Sequence, residues 1–203
     1  MAGTAGAQTQ IKGAASGLTG SFLTIDFDSL AVPTSTLLTN QLSAQGLNFI
    51  DTFFSNTPHF GGSVFGTAAI YNFNLYPPSL RSSMSIHFLQ RTNAVAFNIA
   101  SLQGDVVFET FLNGQLVSTF TEEVDQTSEA SKLFWGFEGF EFDMLRITSK
   151  APQGVALGID NLQLPRLEAD DPETSVVPEP ATAILVVTGL AAMACAKRKR
   201  RRC

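Results

Sequence analysis

The chain has 203 residues, enough for one β-rich domain or two small ones with a sizeable core. Apolar residues make up 44% and charged residues only 15%, with Phe alone at 17 positions, a composition that excludes wholesale disorder. Six of the 13 basic residues form the run Lys197–Arg202, so 7 basic residues face 17 acidic ones ahead of Val177, and that region, at −10, lacks the clustered Lys and Arg that nucleic acid requires.

Residues 1–20 have no basic start and no apolar run of signal-peptide length, so they read as a flexible leader or the remnant of a signal peptide. Ala5-Gly6-Ala7 before Gln8 has the small-x-small form of a signal-peptidase site. An upstream start codon carrying the export signal is one expectation, and a plain Gly/Ala/Ser/Thr leader is the other.

From residue 21 to residue 165 apolar residues recur with period two between turn residues, which predicts many short strands. Leu23, Ile25 and Phe27 alternate, then Met84, Ile86 and Phe88, then Val95, Phe97 and Ile99. Residues 37–62, where Phe49, Phe53, Phe54 and Phe60 stand among Asn, Pro and Gly, read as loop with one or two short strands. Asn113-Gly114 between two apolar-alternating runs predicts a hairpin with a type I′ turn, whose positive φ angles that dipeptide accepts. With further strands near 68–75, 133–137, 142–148 and 155–164, about nine in all, the expected fold is all-β: a jelly-roll-like two-sheet antiparallel sandwich.

Candidate chemistry is sparse. Cys195 and Cys203 both lie in the last nine residues, which removes disulfides, thiolate zinc sites and a Cys nucleophile from the rest of the chain. Two histidines, His59 and His87, leave little material for a triad, and no enzymatic activity is expected. Asp143 shares strand parity with Leu145 and Ile147, and Asp160 with Leu162 and Leu164, so both point toward the core side. Joined by Asp26 and Asp28 they could hold Ca²⁺; otherwise they cap loops or accept from backbone N–H groups. Trp135, between Phe134 and Phe137, is either core packing or a stacking platform for a sugar. Tyr71 and Tyr76 are further candidates for stacking. Glu122, Glu123, Asp125 and Glu129 read as a solvated loop, and Glu109, Glu138 and Glu141 would have to pair across strands to serve as glycosidase carboxylates.

After an acidic linker at 166–176 the chain runs Val177-Pro178-Glu179-Pro180, an apolar stretch over 181–196, and the basic run Lys197, Arg198, Lys199, Arg200, Arg201, Arg202. As a helix the 16 apolar-rich residues would rise about 24 Å, short of the roughly 30 Å hydrocarbon core, and the cations would hold their end in the cytoplasm. The two prolines deny helix and strand to the segment ahead of it and keep it extended. A core helix followed by a basic tail is the competing reading.

The order of these three parts over residues 177–203 resembles the PEP-CTERM sorting domain of Gram-negative bacteria that make exopolysaccharide. The resemblance implies that a membrane transpeptidase, the exosortase, takes Val177–Pro180 as its substrate. The precursor would then be inserted in the inner membrane, and the product displayed at the cell surface or in the extracellular matrix. Residues 95–164 also resemble the sandwich domains found ahead of such tails: Val95, Phe97 and Ile99, the Asn113-Gly114 turn, Phe142-Asp143-x-Leu145-x-Ile147-Thr148, and Gly158–Leu162. The implied protein is non-catalytic and associated with exopolysaccharide; a lectin-like carbohydrate-binding module is the alternative, and a glycan hydrolase a distant third.

Overall fold

A computed structural model describes residues 8–56, 68–75, 78–102, 104–124, 132–150 and 156–166. The linker beyond Arg166, the expected sorting motif, the apolar stretch and the basic run lie outside these residues, as do His59, Phe60, Tyr76, Asp125 and Glu129. Among the described residues no helix is long and apolar enough to cross a membrane.

The described residues contain thirteen strands and a single 3₁₀ turn, Ser43–Gln45. The strands are β1 (Thr9–Ala14), β2 (Phe22–Ile25), β3 (Leu37–Leu38), β4 (Leu47–Ile50), β5 (Thr52–Ser55), β6 (Ala69–Tyr71), β7 (Phe73–Leu75), β8 (Pro78–Leu80), β9 (Ser83–Ser101), β10 (Asp105–Leu112), β11 (Gln115–Glu123), β12 (Phe134–Ser149) and β13 (Leu157–Pro165). Every pairing is antiparallel.

Two long strands organise the fold. β9 and β12 pair along their whole length, but the register breaks twice, between Glu138 and Phe142 and again between Phe142 and Met144. Extra residues on first one strand and then the other bend the pair, as β-bulges do, and Gly139 takes φ +94° at the first break. The half from 83 to 88 of β9 and from 142 to 149 of β12 belongs to one leaf, with β4 on one side and β10 and β11 on the other. The other half belongs to a second leaf, with β1 beyond β12 and with β13, β2, β6, β5 and β3 beyond β9. A continuous hydrogen-bonded sheet thus folds over on itself into the antiparallel sandwich that the period-two pattern predicts.

The core between the leaves is aromatic. Phe108 of β10 stacks on Phe120 of β11 with ring centroids 4.6 Å apart, and reaches across to Trp135 at 5.9 Å and Phe97 at 6.0 Å. Phe120 meets Phe137 of the opposite leaf at 5.0 Å. Met84, Ile86, Leu145 and Ile147 face Val95, Ile99, Leu157 and Ile159 from the other side of the same cluster. Burying so many large rings is the main stabilising term, worth about 1.5–3 kcal/mol per fully buried side chain.

The domain starts earlier than residue 21. Thr9–Ala14 pairs with Phe134–Glu138, and Ile11 and Leu18 pack with Ala94 and Ala96 on the outer surface of the second leaf. Residues 9–18 are therefore part of the sandwich and not a flexible leader; their weak strand signal reflects Gly, Ala and Ser positions that only become apolar surface when the sheet covers them. The stretch 37–56 holds β3, β4 and β5, more strand than its mixed composition predicts. β2 ends at Ile25: Leu23 is exposed, and Phe27 enters the core from a left-handed backbone at φ +60° rather than by continuing the alternation. The Asn113-Gly114 turn has φ +50° and +78°, as a type I′ hairpin requires.

Candidate functional site

The outer surface of the leaf built from β4, β9, β12, β10 and β11 carries side chains in cross-strand rows. Asn48, His87, Met144, Phe111 and Leu116 stand opposite one another in successive strands, and Ile50, Ser85, Arg146, Glu109 and Thr119 form the next row. Their neighbours along each strand, Leu47 and Phe49, Ile86, Leu145, and Phe108, point into the core. Arg146 donates to Glu109 at 2.9 Å and lies 4.6 Å over the Phe111 ring, which holds the middle of this surface rigid.

A groove of about 750 Å³ opens over the first of these rows. Asn48 and Ile50 form one wall, His87 and Leu89 the floor, and Met144, Asp143 and Gly114 the other wall. Leu89 lies in the stretch where β9 leaves the register of β12 and is 53% exposed, and Gly114 of the hairpin tip joins the lining. There Asp143 Oδ2 accepts from the Asn113 backbone N–H at 2.8 Å. Asn48 Oδ1 and His87 Nε2 are buried and have no hydrogen-bond partner. Leaving such an atom unsatisfied costs about 1–3 kcal/mol, so an adjacent pair of them needs an explanation.

The aspartates expected to share Ca²⁺ are not gathered. Among the described residues no group of three or more His, Cys, Asp or Glu side chains is placed to hold a metal ion. The reason is again the bulges. Between Phe142 and Met144 the register shift removes Asp143 from the parity of Leu145, and its carboxylate turns to the hairpin. In β13 the shift between Asp160 and Gln163 separates Asp160 from Leu162 and Leu164, and Asp160 Oδ1 accepts from the Asn161 N–H at 2.7 Å. Asp26 Oδ1 accepts from the Asp28 N–H at 3.2 Å, and Asp28 Oδ1 from the Ala68 N–H at 2.9 Å. Each of the four accepts a backbone N–H group.

Trp135 stands in the core at 8% exposure, its ring parallel to Phe108 within 2°. It offers no open face to a sugar. Glu109, Glu138 and Glu141 have separate partners, Arg146, Thr19 and Arg91. Asn48 has no local signal in the sequence because the Asn, Pro and Gly residues of 37–62 indicate loop; the alternation Leu47-Asn48-Phe49-Ile50 is the available cue.

No protein-family model and no curated protein matches the chain. Several solved structures do. A variant of the family 29 carbohydrate-binding module CBM29-2 is 14% identical with a TM-score of 0.39 over 71% of this chain and 89% of that one. The cleaved adhesin domain of Lys-gingipain from Porphyromonas gingivalis is 10% identical with a TM-score of 0.43 over 71% and 98%. TmCBM61, solved in complex with β-1,4-galactotriose, is 11% identical with a TM-score of 0.30 over 59% and 81%.

Proposed function

We propose that this chain is an exported β-sandwich protein, delivered by a PEP-CTERM tail to the cell surface or the extracellular polysaccharide matrix, where it works without catalysis. The observation that carries this reading is the order of three parts at the C-terminus: Val177-Pro178-Glu179-Pro180, the apolar stretch 181–196, and the basic run 197–202. Two prolines disfavour helix and strand, which suits a transpeptidase substrate; 16 apolar-rich residues are too short for a lasting anchor, and six cations would orient them. Exosortase-type processing is the partner reaction this implies. In the native host, the double variant Pro178→Ala, Pro180→Ala should remain in the inner-membrane fraction while the parent chain reaches the surface. Equal surface display of both would overturn the reading.

A second reading, a lectin-like module that binds a glycan of that matrix, is favoured by one observation: the groove over β4, β9 and β12 with two unpartnered polar atoms in its lining.

A further inference from the structure

We infer that this groove is a binding site for a neutral polyhydroxylated ligand, a saccharide unit, whose hydroxyl groups pair with Asn48 and His87. The inference rests on the lectin-like reading and names its site.

Four features point to that ligand class. Asn48 and His87 are direct cross-strand neighbours that both line the groove, and each carries a polar atom with no partner in the protein, Oδ1 and a ring nitrogen, a pair of groups that suits hydroxyls able to donate and accept. Beside them stand apolar side chains, Ile50 and Leu89, 51% and 53% exposed, which suit the C–H face of a sugar ring. The lining contains no Lys or Arg and does contain the Asp143 carboxylate, which disfavours an anionic ligand. Finally, β4 pairs with β9 on one side, and on its other side the Leu47 and Phe49 N–H groups donate to the Leu42 and Thr39 carbonyls, so a peptide adding as an extra strand finds these donors already taken. The volume, about 750 Å³, is within the roughly 300–1,000 Å³ of ordinary ligand sites.

An unsatisfied polar atom that serves only a ligand carries a signature that a structural hydrogen bond does not: removing it harms binding and spares the fold. The test is an array of neutral and anionic oligosaccharides, probed with the full chain in a detergent that has no sugar headgroup, followed by titration of the best-bound oligosaccharide. The expected result is saturable binding to a neutral oligosaccharide that falls at least about tenfold in Asn48→Leu and in His87→Leu, while the melting temperature stays level or rises. Ile50→Asp, at an exposed position on the same wall, should weaken binding as well, and it decides the matter if either other variant fails to unfold cooperatively. Binding by the parent chain that all three variants retain overturns the site and leaves the lectin-like reading standing. Binding confined to anionic oligosaccharides overturns the ligand class. A parent chain that binds nothing on the array overturns the reading and the site together.

Discussion

Asn161 donates from Nδ2 to Asn98 Oδ1 at 2.8 Å, across the bulge where β13 leaves the register of β9. Asn161 holds φ +49°, a conformation that Asn tolerates better than most residues, and its backbone N–H is taken by Asp160. Asn98 continues the chain of bonds by donating to the Leu133 carbonyl at 3.0 Å, just ahead of β12. The Gly158–Leu162 motif is thus a corner that ties three strands together. Asn98→Ala should cost about 1–3 kcal/mol, because it leaves buried partners unpaired. Asn161→Val should cost more than Asn161→Gly, since only the former adds backbone strain. Urea unfolding of the three variants checks both statements.

Gly136 sits where β12 runs between β1 and β9. A Cβ there would fall on the Val95 carbonyl oxygen and within 2.9 Å of Ala96 Cα. Both obstacles are backbone in a paired strand, so neither can swing away. Gly136→Ala should therefore destabilise by about 1–3 kcal/mol or more, against the usual expectation for adding a methyl in a strand. Gly114→Ala probes the other kind of glycine, one needed for φ +78° with open space around it. It should be unfavourable through the backbone alone.

Ile11 tests where the domain begins. Its side chain is 8% exposed in the small cluster with Leu18, Ala94 and Ala96. Ile11→Ala should lower stability by about 2 kcal/mol, a loss that a flexible leader would not produce. Thermal unfolding of parent and variant is sufficient.

With Asp26, Asp28, Asp143 and Asp160 each engaged by a backbone N–H, calcium has no assembled ligand set to brace. Melting curves in EDTA and in millimolar Ca²⁺ should coincide, whereas a folded-state ligand at a hundredfold excess over its Kd would add about 2.7 kcal/mol.

How much of this was legible follows from which signals are local. The Asn113-Gly114 hairpin and the inward alternation of Val95, Phe97 and Ile99 depend on neighbours in sequence, and both appear as read. The parity of Asp143 and Asp160 was not legible, because a single bulge reverses every assignment beyond it and bulges are set by pairing partners far along the chain. Trp135 could not be placed in the core or at the surface without knowing that Phe108 and Gly13 would meet its ring. The groove needs Asn48 and His87 adjacent, 39 residues apart in the chain, and no spacing rule reaches that far.

The central claim is that the chain is sorted and processed through its C-terminus. Intact-mass measurement of the protein released from the surface of its native host tests this most directly. The account predicts a species lacking at least residues 183–203. Recovery of the full-length chain as the sole surface form would contradict it.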